Sequence, residues 1–242
     1  MQPLADARIL FHLLRGASGG GSHAERLRRF YGPQADAYDA FRERLLHGRE
    51  ELVTHLPAGP GATVVELGGG TGRNLDFFGA RLDGFARAEV VDLCAPLLEI
   101  ARSRLAGRSN VRIVEADATA YRPDRAVDCV YFSYALTMIP DWFRAIDNAL
   151  GMLAPGGTLG VVDFYVSRPH AERGRAQHGA VTRTLWPLWF HHDSVHLSPD
   201  HLPYLRARLD TVYLAERRAP LPYVPGLRVP YYVFVGRKTA PA

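Results

Sequence analysis

Four glycines in five positions, Gly68-Gly69-Gly70-Thr71-Gly72, directly follow the apolar run Val64-Val65-Glu66-Leu67 and constrain this chain more than any other stretch. The apolar run reads as a buried parallel strand, and the glycines as a sharp turn that opens a helix. Glycine is needed where the backbone must turn tightly and let a ligand approach where a Cβ would collide. The order E-x-G-x-G-x-G, with Glu66, Gly68, Gly70 and Gly72, departs from the dinucleotide fingerprint G-x-G-x-x-G, because Arg73 stands where its last glycine would. By itself the turn fits any α/β protein with a tight strand-to-helix connection.

The residues that follow narrow the reading. An apolar strand over 88–91 ends in Asp92, and a helical pattern over 95–102 comes next. An acidic residue about 20 positions beyond a glycine turn is placed to grip a ribose diol, since a carboxylate accepts from both hydroxyls. A third strand, 111–114, leads to Glu115-Ala116-Asp117-Ala118, and a fourth, 127–132, to Ser133-Tyr134. Leu153-Ala154-Pro155-Gly156-Gly157 closes a helix and feeds a strand over 158–163. Alternating patterns at 211–217 and 231–236 read as two last strands. Any one of these acids reads equally well as a helix N-cap or a solvated strand end; the ordered series carries the weight.

That glycine turn and acid series resemble the class I S-adenosylmethionine-dependent methyltransferases. The resemblance implies an α/β, Rossmann-like sheet of seven strands, mostly parallel, with helices on both faces and an N-terminal helical extension. It implies S-adenosylmethionine as cofactor and S-adenosylhomocysteine as product. The glycines 68, 70 and 72 would pass beneath the methionine part. Asp92 would hold the ribose, and Asp117 would accept from the adenine amino group while the Ala118 amide faces the ring. Glu66, Leu93 and Ser133 would also belong to the cofactor site, and Arg49, before the first strand, would meet the methionine carboxylate.

Composition bounds the rest. The 242 residues suit one catalytic domain over 59–242, with substrate choice in about 164–230, preceded by an N-terminal extension over 1–58. No apolar run approaches the roughly 18 residues a membrane span needs, and Met1 to Arg15 lacks a signal-peptide pattern, so a cytoplasmic location is expected. Cys94 and Cys129 are the only cysteines, and the net charge of +4 rests on arginine, since Lys238 is the only lysine. This mild basic excess fits anionic lipid or nucleic acid without distinguishing them.

In the extension, Leu4 to Arg15 reads as a short amphipathic helix, followed by a hinge over 16–22 with four glycines and helical patterns at 23–31 and 36–53. Two readings of the first helix stay open, a lid over the cofactor and an element lying in a membrane interface. The C-terminal third is rich in aromatics, and two of the three tryptophans fall within Thr184-Leu185-Trp186-Pro187-Leu188-Trp189-Phe190. Indole rings favour the water–lipid boundary, face cationic nitrogen, or pack in a core. Ser198-Pro199-Asp200 reads as a helix start with serine as cap.

Segments outside the cofactor motifs resemble bacterial N-methyltransferases of betaine-lipid synthesis: 23–27, Tyr38-Asp39, 47–51, Gly72-Arg73-Asn74-Leu75, 133–142, 197–205 and Arg228-Val229-Pro230-Tyr231-Tyr232. The resemblance runs from about residue 8 to 238. It implies three methylations of the amino group of diacylglyceryl-homoserine, giving diacylglyceryl-N,N,N-trimethylhomoserine, at the inner face of the membrane. A separate aminocarboxypropyltransferase would supply that lipid, because this chain carries no such portion. Gly69 departs from the bulkier or thiol-bearing residue common at that place. The amine must lose a proton before each attack; Tyr31, Tyr38, Tyr134, His191 and His192 are candidate acceptors. Trp142, Tyr165, Trp186, Trp189 and Tyr204 are candidate substrate contacts, aromatic faces being suited to a quaternary ammonium, and Arg183 is a candidate partner for the substrate carboxylate.

Histidines 191, 192, 196 and 201 with Asp193 lack the H-E-x-x-H glutamate, so no metal site is expected. A nucleic-acid partner is disfavoured, since Ser133-Tyr134-Ala135-Leu136 replaces the Asp/Asn-Pro-Pro-aromatic loop of exocyclic-amine enzymes and no Pro-Cys pair follows. A soluble small-molecule amine remains the rival substrate.

Overall fold

The structure, a computed structural model, describes Glu25 and residues 44–191, 194–222, 224 and 226–239. The amphipathic segment 4–15, the glycine hinge, Tyr31, Tyr38 and His192 lie outside the described residues. In chain order the elements are α1 (Arg49–His55), β1 (Thr63–Leu67), a 3-10 helix (Arg73–Gly84), β2 (Arg87–Asp92), α2 (Ala95–Arg104), β3 (Val111–Glu115) and β4 (Val127–Ser133). A short 3-10 turn (Leu136–Met138), α3 (Trp142–Met152), β5 (Leu153–Phe164), α4 (Ala180–His191), α5 (His201–Arg208), β6 (Asp210–Pro220) and β7 (Arg228–Arg237) complete the order.

The strands form one seven-stranded sheet in the order β3-β2-β1-β4-β5-β7-β6. Pairings from β3 through β5 are parallel, and β7 runs antiparallel to both β5 and β6. This is the mostly parallel Rossmann-like sheet that the sequence predicts. Alternation along the strands explains its two covered faces. Val64, Tyr131 and Val233 pack with Leu52, Leu98 and Trp186 on one face. Their neighbours Val65, Phe132 and Phe234 pack with Ile146 and Leu205 on the other. So α1, the long 3-10 helix, α2 and α4 cover one side, and α3 and α5 the other. Residues 44–58, from the predicted extension, contribute Leu46, Leu52, Val53 and Leu56 to the same core as the sheet.

The glycine turn opens a helix as expected, of 3-10 type and broken at Gly79 with φ 54° and ψ −133°. Two local expectations are corrected. β5 starts at Leu153 rather than Thr158, because Leu153 pairs with Val127 and a register shift absorbs the extra residues. Ser198 caps a turn, its Oγ accepting the Asp200 amide at 3.1 Å, and α5 starts only at His201.

Candidate cofactor site and its surroundings

The order of the sheet reverses between β1 and β4, so a crevice opens beyond their carboxyl ends, where open α/β sheets take their ligands. A cavity of about 250 Å³ lies there. It is lined by Gly68, Gly70, Asp92, Leu93, Asp117 and Ala118, with Leu97, Ala116, Thr119, Tyr134, Ala135 and Met138 to Asp141. The amides of Gly68 and Gly69 both donate to the Val91 carbonyl, at 2.8 and 3.1 Å, which folds the turn back onto β2. Gly68 has φ +73°, and a Cβ there would sit 2.5 Å from the Ala135 methyl. Gly72 is constrained by helix packing, not by ligand approach, since its Cβ would meet Leu105 Cδ1 at 2.8 Å. Gly69 is equally tight in this chain, because a Cβ would lie 2.7 Å from Val90 Cγ1.

Two carboxylates point into the cavity from successive strand ends. Asp92 accepts the Gly70 amide on Oδ2 and the Cys94 amide on Oδ1, both at 2.8 Å. Asp117 accepts the Thr119 amide at 2.7 Å and its hydroxyl at 2.8 Å, both on Oδ1, in a local turn that leaves Oδ2 for an amino donor. A diol acceptor, an amino acceptor and a turn without side chains fit the ribose, adenine and methionine parts of S-adenosylmethionine.

The comparisons agree with that fit. A family model described as a methyltransferase domain matches residues 34–210. The chain belongs to the methyltransferase domain family. Trans-aconitate 2-methyltransferase of Methylobacterium radiotolerans is 32% identical over 126 residues, 51% of this chain and 46% of that protein. The ubiquinone/menaquinone biosynthesis C-methyltransferase UbiE of Hahella chejuensis is 31% identical over 108 residues, 43% of each chain. The methyltransferase thus spans less than half the length of these two relatives. Among solved structures, a chain of the complex between the Haloferax volcanii Trm112 methyltransferase activator and a methyltransferase superposes with TM-score 0.67 at 18% identity, covering 89% of this chain and 99% of that one. The N-methyltransferase NodS of Bradyrhizobium japonicum, bound to S-adenosylhomocysteine, gives 0.59 at 18%, covering 79% and 86%. The fold is shared with both.

Other expected cofactor residues of the methyltransferase stand behind the turn and do not line the cavity. Glu66 is fully buried, its Oε1 accepting Asn74 Nδ2 at 2.5 Å and its Oε2 the Tyr131 hydroxyl at 2.9 Å. Arg49 donates to the Leu46 carbonyl at 3.1 Å and to Asn74 Oδ1 at 3.3 Å, and its guanidinium lies 5.3 Å from the Phe77 ring centre. Arg49, Asn74, Glu66 and Tyr131 therefore form a buried chain that braces the glycine turn from below. Ser133 is buried, and its Oγ has no partner.

Tyr134 does line the cavity, in a conformation unusual for a side chain with a Cβ, φ +54°. Its amide donates to the Val162 carbonyl at 2.8 Å and its hydroxyl to the His47 carbonyl at 2.6 Å. Burial, reinforced by Asp163, pushes the phenol well above its ordinary pKa of 10. With its phenol neutral and already donating, Tyr134 stands in the cavity wall rather than poised to take a proton. Below it, the fully buried Asp163 accepts the Thr137 hydroxyl at 2.7 Å, the Thr137 amide at 3.1 Å and the Phe164 amide at 2.8 Å. Asp163 thereby pins the turn carrying Ala135 and Met138, and burial raises its pKa to about 7 against those donors.

The expected substrate contacts separate into groups. From Tyr134, rings run to Phe164 at 4.6 Å, on to Phe190 at 5.0 Å, then Trp186 at 6.0 Å and Trp189 at 6.2 Å. Arg183 shares the buried side of α4 with Trp186 and Phe190, and its Nε and Nη1 are buried without a hydrogen-bond partner. Trp142 packs edge-on against His201 at 4.7 Å and Tyr204 at 5.5 Å. Tyr165 and Tyr204 stand apart from this cavity: the first donates to Glu216 at 2.8 Å and lines a separate small cavity, and the second donates to Asp147 at 2.9 Å on the α3–α5 surface. His191 is exposed, with its ring 5.2 Å from His196. Among the described residues no group of three or more His, Cys, Asp or Glu is placed to hold a metal.

The cavity wall of Ala135 and Met138 to Asp141 falls within 133–142, which the sequence marked only through its resemblance to betaine-lipid enzymes and without naming these residues as site residues.

Proposed function

We propose that this methyltransferase transfers methyl groups to the amino group of diacylglyceryl-homoserine, three times, to give the betaine lipid diacylglyceryl-N,N,N-trimethylhomoserine. One observation carries the reading. The aromatic series that starts at the cavity wall with Tyr134 ends on α4, beside a guanidinium with two buried, unpartnered nitrogens. A betaine combines a quaternary ammonium, which aromatic faces accommodate, with a carboxylate, which a guanidinium pairs. The segments that resemble betaine-lipid enzymes support it too, since 133–142 and 197–205 meet where Trp142 packs on His201 and Tyr204.

The bound cofactor supplies a methyl group already activated on sulfonium. What the chain adds is alignment and exclusion of water, and positioning of this kind contributes about 7–11 kcal/mol in favourable cases. The apolar wall of Ala135, Met138 and Ile139 excludes water, and desolvation there favours the neutral amine that must attack. Tyr31, Tyr38 and His192 remain the proposed proton acceptors. The lipid substrate comes from a separate aminocarboxypropyltransferase, and the enzyme works at the inner membrane face as a peripheral protein. Among the described residues no helix is long and apolar enough to cross a membrane.

Mass spectrometry of lipids tests this after the purified chain is incubated with S-adenosylmethionine and diacylglyceryl-homoserine in detergent micelles. Products carrying one, two and three added methyl groups are expected. Arg183→Gln should raise KM for this lipid while leaving cofactor affinity unchanged. No methylated lipid, with transfer instead to a soluble amine or to trans-aconitate, overturns the reading; the relative from Methylobacterium radiotolerans makes the second acceptor the natural control.

A further inference from the structure

Helix α4 is apolar on both of its sides. Trp186 and Phe190 are buried against the core, at 3% and 5% exposure, whereas Val181, Leu185 and Leu188 are 77%, 36% and 66% exposed. The exposed three are spaced i, i+4, i+7 and so form one stripe along the helix, opposite the buried residues. Contiguous exposed apolar stripes mark contact surfaces. No acidic residue occurs anywhere in Ala180–His191.

What leads into the helix identifies the partner. The segment 168–191 holds four arginines against one glutamate, with three further histidines. Arg173 is exposed; Arg168 pairs with Asp200 at 2.7 Å yet keeps 54% of its side-chain surface, and Arg175 lies 3.7 Å from Glu216. His178 ties this segment down, its Nδ1 accepting the Ser167 amide at 2.9 Å and its own amide donating to Ser167 Oγ at 2.8 Å. A basic approach that ends in a helix with an outward apolar stripe is the composition of an interfacial element on anionic lipid.

We infer that α4 docks this enzyme on anionic bilayers: Val181, Leu185 and Leu188 enter the acyl boundary and the arginines of 168–175 meet the head groups. The inference deepens the lipid reading, because the helix that touches the bilayer then presents Arg183 and the aromatic series on its other face.

Sedimentation with vesicles of equimolar phosphatidylcholine and phosphatidylglycerol tests it on the full chain. The wild type is expected to sediment with these vesicles and not with phosphatidylcholine alone. Val181→Ser/Leu185→Ser/Leu188→Ser should lose about tenfold or more in partitioning, with cofactor affinity and activity in detergent micelles unchanged. Equal sedimentation of the triple variant, or none of the wild type, overturns the inference. So does a wild-type dimer that the triple substitution dissociates, since the stripe is then a protein interface. Stripe-dependent vesicle binding without any methylation in micelles supports the docking and removes the substrate assignment instead.

Discussion

The Asp92 carboxylate accepts the Gly70 amide at 2.8 Å, so the end of β2 holds the turn that follows β1 in place. The same residue lines the cavity, so it both holds the turn and is placed where a ribose diol would be accepted. Hydrogen bonds to a charged group contribute about 1.5–3 kcal/mol. Asp92→Ala should weaken S-adenosylmethionine binding roughly 10- to 150-fold by titration calorimetry. An unchanged Kd removes Asp92 from the site.

Gly68 combines a left-handed φ of +73° with a methyl group where its Cβ would go, whereas Gly61, at φ +79°, has nothing within 4 Å. The pair separates backbone strain from collision. Gly61→Ala should cost about 1–2 kcal/mol of stability and leave cofactor binding intact. Gly68→Ala should cost more in denaturant titration and abolish binding, because Ala135 lines the same cavity. Equal losses from both substitutions show that the contact with Ala135 relaxes freely.

Asp163 titrates inside the fold near pH 7, above the ordinary carboxylate range, because burial outweighs its donors. Between about pH 4 and 7 the folded state keeps a proton that the unfolded chain has released. Stability that this group contributes at low pH is therefore lost as pH rises through that window. Asp163→Asn cannot titrate, so the unfolding free energy of wild type relative to the variant should fall between pH 4 and 7 and level off above. A pH-independent difference contradicts the assignment.

His201 is fully buried with neither ring nitrogen partnered, and burial, opposed by Asp200, lowers its pKa to about 3. The unfolded histidine protonates near pH 6.5, so stability is lost as pH falls below that value toward the folded pKa. His201→Phe keeps the edge contact with Trp142 and removes both orphaned nitrogens. Its midpoint of thermal unfolding should exceed that of wild type by more at about pH 5 than at about pH 8. A gain of equal size at both values means that His201 is not held neutral.

The parallel part of the sheet was legible because its strands are short, largely apolar runs, and β1 runs into glycine while β2 ends in acid, patterns that sequence spacing preserves. Asp92 and Asp117 stood out for the same reason. Contacts between distant segments were not legible. The hydroxyl of Tyr165 is engaged by Glu216 and that of Tyr204 by Asp147, partners 51 and 57 positions away. Nothing in a list of aromatics distinguishes those two from Trp186. The strained backbone of Tyr134 also leaves no mark in composition; it follows from its amide joining β5 while its hydroxyl reaches back to His47. Glu66 was misplaced because an acid beside a glycine turn looks the same whether it faces the ligand or supports the turn.

Every residue lining the large cavity falls between Gly68 and Asp141, whereas Arg183 and the rings of α4 come from beyond Phe164. The cavity lining and the α4 residues thus come from separate stretches of the chain, joined at Tyr134, which lines the cavity and packs its ring on Phe164.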